Sequence, residues 1–312
     1  MSKYKILSLD GGGIRGIITA ILLKRLTEAP GLLNFLDEVN LVAGTSTGGL
    51  LALSLANGLN PSAMIDIYEK EGMFIFYDTI LDDILDLGRM IGAGYKNENL
   101  KKNLQKTFGE TTLDQLKKHV LITAFDLDNQ ADELNKRTWK PKIFHNMEGE
   151  GSDGKELVYK VGLYTSAAPT YFPTYEGFVD GGVFANNPSM CALAQSQDLR
   201  YFETPKLSEV VLLSLGTGTS LTFIEGQTHD WGYLQWAKPI IGLMLDGVSG
   251  IADYECKQIL KENYFRLAPV FPHNVSVPMD DANKIAYMID FANKIDLSQT
   301  INWLNEHWNK IL

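Results

Sequence analysis

The first 60 residues carry the same hydrophobic pattern twice. A short apolar run over residues 4–9 ends on an aspartate and three glycines, and residues 14–29 then repeat apolar positions at helical spacing. A second strand pattern over residues 37–44 leads through a glycine-bearing turn into another apolar helical stretch. Strands that alternate with helices in this way predict an α/β fold with a mostly parallel sheet.

The rest of the chain extends this pattern. Further strands are predicted near 119–128, 157–164 and 209–218, and the glycine-rich, acidic stretch 146–155 is predicted to be a surface loop. The tail over residues 235–312 is mostly helical in pattern and is expected to cover the sheet. We therefore expect one domain over residues 1–312, with a motif-bearing core at about 4–220 and a helical covering segment at about 235–312.

Charge and composition narrow the classes of partner. The 28 basic and 38 acidic residues give a net charge of −10, which disfavours nucleic acid as a partner but leaves room for a transient membrane contact through a local patch. The amino terminus lacks the pattern of a secretion signal, and no apolar run approaches the roughly 20 residues of a membrane span, so a cytoplasmic protein is expected. Cys191 and Cys256 lack metal-ligand spacing and are interpreted as structural thiols.

Ser46 is the centre of a Gly-x-Ser-x-Gly pattern that runs from Gly44 to Gly48, between a predicted strand and a predicted helix. A turn of this kind lifts a serine hydroxyl out of a sheet. The helix amino terminus also surrounds the serine oxygen with free N–H groups and the positive end of the helix dipole. The alternative is that Ser46 only caps the helix, but the flanking strand and helix favour a nucleophile.

Residues 10–16, Asp-Gly-Gly-Gly-Ile-Arg-Gly, also satisfy the Gly-x-Gly-x-x-Gly pattern of dinucleotide-binding loops. Such a loop requires an acidic residue about 20 positions later, at the end of the second strand, to bind the ribose. Asp37 and Glu38 lie near that distance but precede the second strand. A nucleotide-binding module is therefore the weaker interpretation.

An oxyanion hole is the competing interpretation of the same loop. Consecutive glycines at Gly11, Gly12 and Gly13 allow adjacent backbone N–H groups to point at one developing negative charge. Arg15 adds a cation close by, although a salt bridge that orders the loop is an equally simple role for it.

A serine nucleophile needs a group that accepts its proton, and this is usually a histidine. None of the five histidines lies in a glycine-bordered turn after a strand, and His145 and His229 lie in polar segments that are predicted to be solvated. Asp180 is the better candidate because it ends an apolar run and is followed by two glycines. An aspartate has a pKa of about 3.9 in water, so partial burial beside Ser46 would be needed to raise it.

Taken together, these motifs resemble those of the patatin-like phospholipases. The family's Asp-Gly-Gly-Gly-x-[Lys/Arg]-Gly loop is matched by residues 10–16, its Gly-Thr-Ser-Thr-Gly turn by residues 44–48, and its Asp-Gly-Gly motif by residues 180–182. Other similar segments lie at 166–173, 183–188, 215–218 and 246–249.

This resemblance implies a patatin-like fold, a variant of the α/β-hydrolase architecture with three layers, α/β/α. It implies Ser46 as nucleophile, Asp180 as proton acceptor, and the Gly11–Gly13 N–H groups as oxyanion hole, with Arg15 in support. The implied substrate is a phospholipid or related glycerolipid, cleaved through an acyl-enzyme intermediate without cofactor, metal or calcium. A phospholipase gated by a signal is an alternative role. Two aromatic segments, 71–77 and 231–236, are interpreted as packing under a lid, in preference to lining an acyl channel or dipping into lipid.

Overall fold

A single seven-stranded sheet forms the centre of the molecule in the part of the chain that the computed structural model describes, residues 3–76, 97–200 and 204–308. Its strands are β1 (Tyr4–Leu9), β2 (Leu41–Thr45), β3 (His119–Asp126), β4 (Lys140–His145), β5 (Phe178–Asp180), β6 (Val210–Leu215) and β7 (Tyr264–Leu267).

The sheet is mostly parallel, as the sequence predicts. The strand order is β4-β3-β2-β1-β6-β7, and the five strands β1, β2, β3, β6 and β7 run parallel to one another. Strands β4 and β5 both pair with β3 in the antiparallel sense. The central strands β1, β2 and β6 are continuous apolar runs because both of their faces are covered.

Helices cover both faces of the sheet. They are α1 (Gly16–Thr27), α2 (Thr47–Asn57), α3 (Pro61–Phe76), α4 (Asn97–Phe108), α5 (Val158–Ser166), α6 (Gly182–Ala185), α7 (Ser189–Ser196), α8 (Tyr233–Leu260), α9 (Ile285–Lys294) and α10 (Ser298–Trp303).

Alternate side chains of one strand enter two separate apolar clusters. On β1, Leu7 and Leu9 join the cluster that contains α1, α2 and α9, whereas Ile6 joins the cluster that contains α7 and α8. The sheet therefore separates two helical layers, and the expected three-layer α/β/α architecture is confirmed.

Two sequence predictions require correction. Residues 157–164 were expected to form a strand but lie in helix α5, whose residues are buried on nearly every side. A fully buried helix has no polar face, so its apolar residues do not recur with the period of 3.6 that identifies a surface helix. Its valines also favour a strand prediction, because β-branched residues are common in strands. The tail was expected only to cover the sheet, yet it contributes β7, which pairs with β6.

Three other predicted segments, 146–155, 231–236 and 71–77, have different outcomes. Residues 146–155 form an irregular loop, as expected. The aromatic segment 231–236 does not pack under a lid, because Tyr233 is 96% and Leu234 is 86% exposed. The segment 71–77 lies outside the residues whose side chains the structure describes.

Candidate active site

Ser46 lies in a tight turn between β2 and α2. Its backbone has φ 54° and ψ −126°, a strained conformation for a residue with a side chain. A Cβ atom on Gly44 would lie 2.2 Å from the Gly48 carbonyl oxygen, and one on Gly48 would lie 2.2 Å from that of Leu9. Only glycine fits at both positions, and the turn is held further because the Ser46 N–H donates to Thr165 Oγ1 at 2.8 Å.

The register of the sheet brings Asp180 to Ser46. Strand β2 pairs with β3 as far as Thr45, which lies opposite Thr123. Strand β5 pairs with the next residues of β3, so that Asp180 lies opposite Ala124. Asp180 therefore sits beside the point where β2 ends, where the Ser46 side chain interacts with its carboxylate.

The Asp180 carboxylate is buried, with 5% of the residue exposed. Burial raises the pKa of Asp180 to about 6, while hydrogen bonds from Ser46 and from the Gly182 N–H, which lies 2.8 Å from Oδ1, lower it. Both hydrogen-bonding groups are neutral. Asp180 is thus mostly ionised at neutral pH and yet basic enough to accept a proton.

The glycine loop after β1 lies beside Ser46, since a Cβ atom on Gly11 would lie 3.4 Å from Ser46 Cβ. The Gly11 N–H donates to the Asn186 carbonyl oxygen at 2.9 Å, so it is already engaged within the protein. Among the described residues, the N–H groups of Gly12 and Gly13 have no such partner, and both glycines line the same cavity as Ser46. Gly13 has φ +58°, which favours glycine. The predicted set of oxyanion donors therefore narrows to Gly12 and Gly13.

A buried ion pair fixes the start of this loop. Asp10 and Arg266 are joined through Oδ1 and Nη1 at 3.1 Å and through Oδ2 and Nη2 at 2.6 Å. Arg266 Nη1 also donates to Ser214 Oγ at 2.7 Å, which ties β7 to β6 and to the loop. Burial raises the pKa of Asp10, and Arg266 opposes that rise.

Arg15 does not line the cavity. Its Nε donates to the Gly12 carbonyl oxygen at 3.4 Å, and its charge interacts with Asp246 on α8, Tyr171 and Asp10. Burial lowers the pKa of Arg15 to about 10, so it remains a cation at neutral pH. This position fits the loop-ordering interpretation of Arg15.

Ser46 and Asp180 line a mainly apolar cavity of about 270 Å³. Helices α2, α3, α4 and α5 supply one side of its lining, and α8 supplies another through Ile241, Met244 and Leu245. The apolar residues on the first side include Leu50, Leu51, Met64, Ile67, Leu100, Leu104 and Phe108. A cavity with an apolar lining and a few polar groups at one point is suited to a ligand with a hydrocarbon chain and one reactive polar centre.

The patatin-like phospholipase family model matches residues 7–193 of this chain, a range that includes the glycine loop, Ser46 and Asp180. The chain belongs to the patatin-like phospholipases. Lipid hydrolysis is the activity that this family supports, and the family assignment replaces the nucleotide-binding interpretation of residues 10–16.

Similar members of the family occur in bacteria and plants. A cGAMP-activated phospholipase of Pseudomonas aeruginosa is 31% identical over 85% of this chain and 78% of its own length. Patatin-04/09 of Solanum tuberosum is 30% identical over 89% of this chain and 79% of its own length. The ExoU–SpcU complex from the type III secretion system of Pseudomonas aeruginosa has a TM-score of 0.46 and 15% identity, over 99% of this chain and 53% of that chain, and is too distant to support a functional argument.

The other titratable candidates of this patatin-like phospholipase lie elsewhere. None of the five histidines, all within the described residues, lines the cavity. His145 was expected to be solvated but is 5% exposed, and burial lowers its pKa. Burial also raises the pKa of Cys191 to about 11 and that of Cys256 to about 12, so both thiols stay protonated at neutral pH.

The described part of this patatin-like phospholipase contains neither a candidate metal site nor a candidate membrane span. No group of three or more His, Cys, Asp or Glu side chains there is arranged to hold a metal ion. No helix there combines the length and the apolar character needed to cross a bilayer.

Three residues that shape the site were not identified from the sequence. Thr165 holds the Ser46 N–H, and Arg266 holds Asp10 across 256 positions of the chain. Asn186 lines the cavity and donates through Nδ2 to Ser249 Oγ at 3.1 Å, which connects the turn after α6 to α8. Asn186 and Ser249 lie in segments that resemble the family, but no pattern in the sequence indicated their contact.

Proposed function

We propose that this chain is a lipid acyl hydrolase of the phospholipase A or lysophospholipase type that acts through a Ser46–Asp180 dyad. The observation that carries the proposal is that Ser46 and a buried carboxylate with a pKa of about 6 lie together at one point of an apolar cavity. An apolar cavity accommodates the fatty-acyl chain, and a carboxylate of that pKa accepts a proton at neutral pH.

The proposed reaction has two steps. Ser46 Oγ attacks the ester carbonyl carbon while Asp180 takes the Ser46 proton, and Asp180 then returns that proton to the leaving alcohol as the carbon–oxygen bond breaks. Water hydrolyses the acyl-enzyme in the second step and regenerates Ser46. In both steps the free N–H groups of Gly12 and Gly13 are suited to stabilise the negative charge on the carbonyl oxygen.

Hydrolysis of a medium-chain p-nitrophenyl ester and of phosphatidylcholine vesicles tests this mechanism. Wild type is expected to cleave both, and Ser46→Ala and Asp180→Asn are each expected to lower kcat by about 10³-fold or more. Thermal unfolding of both variants at or above the wild-type temperature would assign the loss to chemistry. Retention of activity in Asp180→Asn would overturn the assignment of the base, and a wild type that is inactive both alone and with cGAMP would overturn the substrate class.

We further propose that α8 and the segment before it touch the lipid surface. Leu221, Phe223, Tyr233 and Leu234 are 72%, 83%, 96% and 86% exposed, and Leu243, Met244 and Ile251 on α8 are about half exposed. Since α8 also lines the cavity, an acyl chain that leaves the lipid surface at this helix has a short path to Ser46. Exposed apolar surface of this kind is typical of a membrane or partner contact.

Vesicle binding tests the proposed contact. Phe223→Glu and Leu234→Glu together are expected to weaken binding to neutral phosphatidylcholine vesicles at least tenfold, whereas hydrolysis of the soluble ester stays within about twofold. Leu134→Glu is the matched control because Leu134 is 82% exposed but lies between β3 and β4. Equal vesicle binding by all three proteins would contradict this contact.

A second candidate role is a phospholipase that a signal switches on. The observation that favours it is the 31% identity to a protein named cGAMP-activated phospholipase. A rate on vesicles that rises at least tenfold on addition of cGAMP would support this role, and a full rate without the nucleotide would exclude a requirement for it.

A further inference from the structure

Ser166 carries a buried hydroxyl group that has no hydrogen-bond partner. In the described part of the chain three buried side-chain atoms lack a partner, namely Tyr4 OH, Ser166 Oγ and Trp308 Nε1. Ser166 is 7% exposed, and of these three residues it is the one that lines the cavity with Ser46 and Asp180. Buried hydroxyl groups are nearly always paired, so an unpaired one on a residue that lines a cavity indicates that a polar ligand binds there.

The neighbours of Ser166 place it between the two members of the dyad. Thr165 Oγ1 accepts the N–H of Ser46 at 2.8 Å. The Ala167 carbonyl oxygen accepts the N–H of Asp180 at 3.0 Å. Ser166 is thus the residue between two fixed attachments, one to the nucleophile and one to the proton acceptor.

The ligand of Ser166 is not the fatty chain, because hydrocarbon offers no hydrogen bond. Three other hydroxyl groups of the cavity are already paired: Thr107 Oγ1 donates to the Asn103 carbonyl oxygen at 2.9 Å, and the Thr47 and Tyr68 hydroxyls are hydrogen-bonded to each other. The free N–H groups of Gly12 and Gly13 are suited to the ester carbonyl oxygen. The water of the second step is a polar reactant that still needs a position.

We propose that Ser166 Oγ binds the water that hydrolyses the acyl-enzyme, an inference that rests on the proposed Ser46–Asp180 mechanism. The water oxygen forms a bond to the acyl carbon while one water proton passes to the Asp180 carboxylate. The tetrahedral intermediate then collapses: the bond from the acyl carbon to Ser46 Oγ breaks, and Ser46 Oγ receives the proton from Asp180. Ser166 Oγ accepts the second hydrogen of the water throughout, and so orients the water lone pair towards the acyl carbon.

Ser166→Ala is the direct test, with p-nitrophenyl ester in stopped flow. The first turnover, which forms the acyl-enzyme, is expected to stay within about threefold of wild type. Steady-state turnover is expected to fall roughly tenfold to a hundredfold, the effect of a misplaced reactant. The variant should therefore release one p-nitrophenol per enzyme in a burst, and acylated Ser46 should accumulate and be visible by mass spectrometry.

Stability and a matched serine separate catalysis from structure. Because Ser166 Oγ has no protein partner, Ser166→Ala is expected to unfold at the wild-type temperature or above it. Ser208→Ala makes the same chemical change at an exposed position outside the cavity and is expected to leave both phases within about twofold.

Two outcomes would overturn the role of Ser166. If the burst and the steady state slow together, Ser166 contacts the ester and not the water; if neither changes in a wild type that hydrolyses the ester, Ser166 has no part in catalysis. An inactive wild type, or a fully active Ser46→Ala, would instead contradict the proposed function itself.

Discussion

Removal of Arg266 should expose how far the glycine loop depends on one buried ion pair. Arg266 and Asp10 have side chains that are 15% and 5% exposed, and two hydrogen bonds join them. Arg266→Met keeps most of the apolar stem but leaves the Asp10 carboxylate buried without its cation. Breaking a buried pair in this way costs about 3–5 kcal/mol, and Ser214 Oγ also loses a partner.

The loss of stability should depend on pH in a defined direction. Burial already raises the pKa of Asp10 although Arg266 opposes the rise, so removing Arg266 raises it further. The folded variant then binds more protons than the unfolded chain between the unfolded pKa of about 3.9 and the folded pKa. Stability of the variant must therefore fall as pH rises through that window, and its deficit against wild type should be larger at pH 8 than at pH 5.

Urea unfolding of wild type and Arg266→Met at both pH values measures the effect. Arg137→Met is the matched control, because Arg137 pairs with Asp128 at the surface, where the two side chains are 49% and 37% exposed, and its loss should change stability little. Asp10→Asn combined with Arg266→Met should recover part of the loss, since the unpaired charge is gone. An Arg266→Met variant as stable as Arg137→Met at pH 8 would refute this reasoning.

Four further predictions concern the site. Ester hydrolysis should fall as pH drops through about 6, where Asp180 takes up a proton, and a pH–rate profile that stays flat to pH 5 would contradict this. Because that pKa lies above the unfolded value, ionised Asp180 destabilises the fold above pH 6, and Asp180→Asn should raise the unfolding free energy at pH 8 by roughly 1–3 kcal/mol in urea titrations, but not at pH 4. Gly13→Ala should lose more stability than Gly109→Ala in the same titrations, although the two glycines have similar φ angles of +58° and +55°. A Cβ atom on Gly13 would lie 2.2 Å from the Met279 carbonyl oxygen, whereas one on Gly109 meets nothing within 4 Å. Equal losses would contradict the close contact at Gly13. Activity should be retained in EDTA, and a loss that Ca²⁺ restores would overturn the metal-free mechanism.

The elements that the sequence predicts are those with a local signal. Strands β1, β2, β3 and β6 are apolar runs that stop at polar or glycine residues, and each was located within a few residues. Strand β5 has three residues, too few for a pattern, and α5 is buried on nearly every side. Their identity depends on the neighbours that cover them, and these neighbours come from distant parts of the chain.

The candidate site divides in the same way. Ser46 and Asp180 stand out because glycine-bordered turns after strands are visible in a single stretch of sequence. The pairing of Asp10 with Arg266 spans 256 positions, and the Thr165 contact with Ser46 spans 119 positions. Contacts between residues so far apart in the chain form only when the sheet assembles, so a local sequence pattern does not predict them.

Two buried aspartates at strand ends of this sheet receive different roles from their partners. Asp10 meets the guanidinium of Arg266, which opposes the rise of its pKa and binds its oxygens in a fixed geometry. Asp180 has the Ser46 hydroxyl and the Gly182 N–H as its partners, which are neutral, and its pKa rises to about 6. Pairing with a cation suits the first aspartate to anchor the loop, whereas burial with neutral partners suits the second to accept a proton. In the proposed mechanism, burial of this carboxylate therefore supplies the basicity that a histidine would otherwise provide.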